Sequence, residues 1–180
     1  MDLGLLDKPA ERPLHPAMLD EDELLKAVTM ERGRTGGPGG QHRNKNETAV
    51  TLTHGPTGIN AQAGERRHAE INRKVALRRL RLKLAVEHRV ELPAGDVRSA
   101  LWRERCKKRR IVCSEKHGDY PAMLAEALDV VAACGWDQKK AAVRLDVSAT
   151  QLIRFVATHA PALVAWNEAR EARGMGALRA

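Results

Sequence analysis

Thr48-Ala49-Val50-Thr51-Leu52-Thr53-His54-Gly55-Pro56-Thr57-Gly58-Ile59-Asn60-Ala61-Gln62-Ala63 is the stretch from which the architecture follows. Thr48 to Thr53 alternates small or apolar with polar residues and is rich in β-formers, which predicts a strand. Gly55-Pro56-Thr57-Gly58 predicts a turn, because proline presets φ and glycine supplies freedom. Ile59 to Ala63 is the return strand. Upstream, Val28 to Arg32 predicts a third short strand. Downstream, residues 66–89 hold neither Pro nor Gly and predict one long helix. Three short strands and a helix make a small α+β unit.

Between the first two strands lies Arg34-Thr35-Gly36-Gly37-Pro38-Gly39-Gly40-Gln41-His42-Arg43-Asn44-Lys45-Asn46. Four glycines and a proline within five residues exclude helix and central strand. Such a loop brings bare backbone N–H groups against a reacting centre. Gln41, the functional side chain at its tip, is a neutral amide, a poor base and a poor nucleophile. Chemistry here has to come from backbone dipoles and positioning. Arg34, Arg43 and Lys45 flank the tip and imply a polyanionic partner.

Gly39-Gly40-Gln41 with His42 and Asn44, then Ala49 to Ile59, Glu65-Arg66-Arg67 and Asn72 to Leu80 resemble the catalytic domain of class I peptide chain release factors. The resemblance covers roughly residues 22–88, and three ordered motifs make it specific. It departs at His68-Ala69, where the family usually has Ser-Gln, and a local contact is expected to differ there. The resemblance implies hydrolysis of the ester between a nascent peptide and P-site tRNA, with water as nucleophile, on the large ribosomal subunit. It assigns oxyanion stabilisation to the backbone N–H of Gln41 and arrangement of the water to its amide. Gly39 and Gly40 shape the loop, and Pro38 limits its freedom. Arg34, Arg43, Asn44 and Lys45 would contact ribosomal RNA or tRNA.

The residues before Asp20 are too few to encode stop-codon reading, so the likeness is nearer to short, codon-independent rescue hydrolases, including the mitochondrial release-factor-like proteins. One group of these ends in a basic disordered tail. Here the basic segment is internal and the last 64 residues are expected to fold, which leaves action on a split large subunit as an alternative to mRNA-channel sensing. Two other classes of function stay open. One is a nucleic-acid-binding regulator using the C-terminal unit, and the other is a non-catalytic ribosome-binding factor with the loop as a plug.

The net charge of +8 is unevenly spread. Residues 66–116 hold 17 Lys/Arg against 6 Asp/Glu, while residues 117–180 hold 7 against 7. So dense a basic middle marks a phosphate-binding surface, and Arg103, Arg105, Lys107, Lys108, Arg109 and Arg110 are its candidate RNA-binding residues. Trp102 beside them reads as a packing anchor more than a base-stacking platform. Three cysteines without a Cys-x-x-Cys pair argue against a disulfide framework and a zinc knuckle. Seven scattered histidines suggest no metal, and no cofactor is expected. With no apolar run near 18 residues and no signal or transit pattern, a cytoplasmic protein is expected, without a membrane span and monomeric.

By organisation, residues 1–19 read as a flexible arm, 20–90 as the catalytic domain, 91–118 as a basic linker or helix, and 119–180 as a helical unit. In that unit Asp119-Tyr120-Pro121 opens a helix ended by Gly135, Asp137 and Ser148 cap two more, and Pro161 begins a fourth that stops near Gly174. The middle pair resembles a helix-turn-helix with Ala142, Val147, Leu152 and Phe155 in the core and Asp146 where glycine is usual. Its second helix carries one cation, Arg154, which favours docking over DNA reading. The long helix shows two apolar stripes. Ala76, Leu77, Leu80 and Leu84 should cover the sheet, and Ile71, Val75, Leu82 and Val86 should receive the C-terminal unit.

Overall fold

The computed structural model describes residues 12–33 and 48–179. Helix α1 (Glu21–Lys26) precedes a three-stranded antiparallel sheet of β1 (Val28–Gly33), β2 (Ala49–His54) and β3 (Asn60–Ala63), with β2 central. The α+β class is therefore as expected, and the strand limits shift by no more than one or two residues. Val28 faces His54 and Gly33 faces Ala49, so β1 and β2 run together along their whole length. The turn between β2 and β3 has Gly58 at φ 70°, a conformation that favours glycine. Val50, Leu52, Ala61 and Ala63 are buried, while Asn60 and Gln62 are exposed.

Helix α2 (Ala69–Glu87) crosses β2 and β3 and buries Ala76, Leu77, Leu80, Leu84 and Ala85. Each buried leucine contributes about 1.5–3 kcal/mol. Helix α3 (Ala100–Arg105) follows, capped by the Ser99 hydroxyl, which accepts from Trp102 N. The expected basic helix or arm ends there. Strands β4 (Cys106–Lys107) and β5 (Arg110–Ile111) form a hairpin instead. Four helices complete the described chain, α4 (Tyr120–Ala133), α5 (Gln138–Arg144), α6 (Ala149–Ala157) and α7 (Ala160–Glu171).

The C-terminal helices begin and end where the caps predict. Asp137 accepts from Lys139 N and Lys140 N, and Ser148 from Gln151 N. Ala142, Val147, Leu152 and Phe155 are all buried. Asp146 adopts φ 53° in the turn, as a short polar side chain tolerates. Asp119 differs from expectation. It precedes α4 without a side-chain cap, because its carboxylate takes Arg105 Nε and Nη2 at 2.9 and 2.6 Å.

Helix α4 packs along α2, and one continuous core joins the sheet, α2 and the C-terminal helices. The stripe assigned to this contact needs correction. Ile71 stays 45% exposed, and Val75, Leu82 and Val86 are only half-buried. Ala85 lies between the two stripes, with Leu77 and Leu84 at the near edge of the first, and merges them into one wide band. On its far side Arg78 donates to the backbone oxygens of Glu115 and His117, and Arg89 pairs with Asp129 at 3.0 Å.

Residues 12–19, expected within a flexible arm, pack into this band. The short 3-10 turn Pro16–Met18 touches α2 and α4, and His15 and Ala17 are fully buried. Arg12 pairs with Glu126 and Asp129 of α4 at 3.2 and 3.4 Å. Burial pushes the Asp129 carboxyl up to about 6 despite Arg89 and Arg12 beside it. Glu126 is also raised by burial, and it accepts from Ser99 N at 2.7 Å and the Ser99 hydroxyl at 2.5 Å.

His15 makes this segment pH-sensitive. Its Nδ1 accepts from Ala17 N at 3.0 Å and its Nε2 lies 3.2 Å from His88 O, which fixes the neutral tautomer with the proton on Nε2. Burial lowers its pKa to about 3. The unfolded ring takes a proton near 6.5 and the folded ring does not, so His15 withdraws stability as pH falls through that window. Asp129, raised in the fold, works in the opposite direction between 3.8 and about 6. His15→Asn keeps an acceptor for Ala17 N–H without titrating. Thermal melts from pH 7 to about pH 4.5 should show a smaller loss for the variant than for the unmodified protein.

Candidate functional site

Gly39, Gly40, Gln41, Arg34, Arg43, Asn44 and Lys45 fall in residues 34–47, outside the described residues. The described chain gives the two ends from which that segment starts and returns. It leaves β1 after Gly33 and re-enters at Thr48, and Gly33 pairs with Ala49 across the two strands. Both ends therefore belong to adjacent, hydrogen-bonded strands of a sheet packed on α2.

Asn72 clamps the returning end. It is fully buried on the first turn of α2, and its Nδ2 donates to Thr48 O at 2.6 Å and Arg66 O at 2.9 Å. Its Oδ1 accepts from Arg66 N at 2.9 Å. One amide thus ties the segment's end, the Glu65-Arg66-Arg67 turn and the helix start together, with all its partners on the backbone. From the sequence, Asn72 is legible only as part of a motif. A polar residue about 40° from Ala76, on the apolar side of the helix, was the available signal.

Around the clamp, Arg73 pairs with Glu21 at 3.0 Å and Glu70 at 3.2 Å, joining α2 to α1. Arg79 reaches Gln62 O at 2.7 Å and Glu65 at 2.6 Å, and its side-chain hydrogen bond holds the Glu65 carboxyl below its ordinary value. His68, at the departure from the family pattern, caps α2 without a side-chain hydrogen bond. The anchoring at this end of the helix comes from Asn72.

The basic candidates divide into two groups. Arg103 pairs with Asp96 at 3.0 Å and Arg105 with Asp119 at 2.6 Å, so both serve the fold. The hydrogen bond from Arg98 to Asp96 keeps that carboxyl well below the usual range. Lys107, Lys108, Arg109 and Arg110 stand exposed on the hairpin, and among the described residues none has a carboxylate at salt-bridge distance. Trp102 is a packing anchor. It is fully buried and its Nε1 donates to Leu145 O at 2.9 Å. The cysteines are free, and burial pushes the Cys106 thiol up to about 12 and raises Cys113. Those two are protonated, unreactive thiols at neutral pH.

Among the described residues no helix is long and apolar enough to cross a membrane. The family model described as RF-1 domain matches residues 21–118. Peptide chain release factor 2 of Variovorax paradoxus is 53% identical over 79 residues, 44% of this chain and 19% of the relative. Peptide chain release factor 1 of Symbiobacterium thermophilum is 44% identical over 72 residues, 39% of this chain and 20% of the relative. Peptide chain release factor 2 of Clostridium perfringens is 40% identical over 91 residues, 46% of this chain and 25% of the relative. The matched stretch spans between 19% and 25% of the length of these relatives.

Proposed function

Because the chain belongs to the RF-1 domain family, matched over residues 21–118, we propose that it hydrolyses the peptidyl-tRNA ester on the large ribosomal subunit without reading a stop codon. The observation that carries this reading is the pairing of a Gly39-Gly40-Gln41 segment with a clamped base. Gly33 and Thr48 bound the segment, and Asn72 ties Thr48 to the helix by a 2.6 Å hydrogen bond.

In this reading the chemistry needs no side-chain base. Water attacks the ester carbonyl, the carbonyl oxygen gains negative charge, and the terminal ribose oxygen leaves with a proton. The backbone N–H of Gln41 donates to the oxyanion, where one such donor is worth about 10²–10³ in rate. The Gln41 amide arranges the water and, by its bulk, excludes larger nucleophiles. Gly39 and Gly40 let the backbone approach, and Pro38 narrows its freedom. Arg34, Arg43, Asn44 and Lys45 hold ribosomal RNA or tRNA phosphates, and the ribosome's own RNA supplies the rest of the site. Residues 20–90 are the catalytic domain in this account, and residues 119–180 a unit that anchors it.

Codon independence is tested by peptide release from ribosomes carrying peptidyl-tRNA with a stop codon, a sense codon or no codon in the A site. The reading expects equal rates for all three. Release confined to the stop codon would make the chain a decoding factor instead. The same assay on split large subunits separates rescue of whole ribosomes from action after splitting.

A further inference from the structure

The hairpin β4–β5 has a turn whose residues do not suit it. Lys107 pairs with Arg110, leaving Lys108 and Arg109 as a two-residue turn at φ 50° and 61°. Both central residues are left-handed, which is the geometry that Asn-Gly favours. Here two long cations occupy it, between two more, and residues 105–114 contain no Asp or Glu. Backbone in a disfavoured region held by unsuited side chains points to a use for those side chains.

The hairpin is fixed to the helix-turn-helix. Ile111 packs into the core, β5 touches α6, and Arg109 Nη2 reaches Val147 O at 3.5 Å in the turn before α6. Trp102, six residues before the turn begins at Lys108, donates to Leu145 O in the same inter-helix turn. Helix α6 exposes Thr150 and Arg154, and Arg154 is its one cation. The phosphate contacts that α6 lacks are therefore available from the neighbouring strand pair.

The aromatic residues restrict what such a surface reads. Trp102, Trp166 and Tyr120 are fully buried and Phe155 is 6% exposed. Trp136 is half-buried with the Arg173 guanidinium 5.6 Å from its ring. These are all the Trp, Tyr and Phe residues of the chain. Among the described residues the hairpin and α6 thus offer unpaired bases no exposed ring to stack on, whereas the backbone of a paired helix needs only cations. We infer that the β4–β5 hairpin and the exposed face of α6 form one sequence-independent anchor for the phosphate backbone of base-paired RNA. The choice of RNA rests on the ribosomal function proposed above.

The test uses the full chain and the double variant Lys108→Asn, Arg109→Gly, which gives the turn its preferred pair while removing two cations. The melting temperature should stay level or rise, because the preferred turn pair offsets the lost 3.5 Å contact from Arg109 to Val147 O, and an unchanged melt assigns lost binding to the missing cations. Binding is measured across a salt series to an RNA stem-loop of about 16 base pairs, to unpaired RNA of equal length and to the matching DNA duplex. The expected result is tighter binding to the stem-loop than to the unpaired strand, and a log–log salt slope shallower by about 2 in the variant. An unchanged slope, equal affinity for the unpaired strand, or a DNA duplex that outcompetes the RNA would each overturn the inference. Peptide release by the unmodified protein is scored separately, so loss of this anchor assignment and loss of the catalytic reading give different results.

Discussion

Gly40→Ala is expected to lower ribosome-dependent peptide release by about 10²-fold or more while leaving ribosome binding nearly unchanged. The added Cβ restricts φ and ψ where the backbone N–H of Gln41 has to meet the oxyanion, and it crowds the ester in the transition state. In the proposed reading, binding is carried elsewhere, by Lys107 to Arg110 and the cations flanking the tip. The base of the segment is untouched by this change. Gly33 still pairs with Ala49, and Asn72 still holds Thr48 and Arg66. The variant should therefore melt with the parent. Release at the parent rate would remove the segment from the chemistry, and a lowered melting temperature would make the loss a folding defect.

Trp102→Ala should destabilise the chain by about 3–5 kcal/mol, a large part of the 5–15 kcal/mol typical of a domain. The indole is fully buried, stands edge-on to Phe155 with ring centres 6.2 Å apart, and satisfies Leu145 O through Nε1. Alanine leaves a cavity and an unpaired buried carbonyl, and the second cost adds to the first. Trp102→Phe fills most of the space but still orphans Leu145 O. It should recover part of the loss and no more. Thermal or denaturant unfolding reads both variants, and a loss below about 1 kcal/mol for Trp102→Ala would mean that the site collapses around the smaller side chain.

Sequence pattern and structure agree where a short-range signal exists. The alternation in Thr48 to Thr53 locates β2, Asp137 and Ser148 cap the helices they were expected to cap, and Asp146 takes the left-handed turn. Two of the misses share a cause in partners distant along the chain. Residues 12–19 contain prolines and looked loose, yet Arg12 reaches Asp129, 117 positions away, and no local pattern predicts that pair. Glu126 and Asp129 interrupt an apolar helix, and only the packed structure shows the arginines and serine that accommodate them. The β4–β5 hairpin was hidden because its strands are two residues long and its turn lacks Asn or Gly.

The candidate site divides in the same way. Gly39-Gly40-Gln41 was legible as a motif, because its glycine content excludes ordinary elements and its flanks follow in order. The role of Asn72 was not, because three backbone partners on two segments define it. Nor could the basic middle be sorted from composition. Arg105 and Lys107 look alike in the sequence, but one is paired with Asp119 and the other stands on an exposed strand.

The most direct measurement compares hydrolysis of one peptidyl-tRNA in two settings, bound to the large ribosomal subunit and free in solution, with purified protein added to each. The account predicts rapid peptide release from the bound substrate and almost none from the free one, because the protein contributes a positioned backbone donor and the ribosome the rest of the site. Equal cleavage of free peptidyl-tRNA, or no release in either setting, would contradict it.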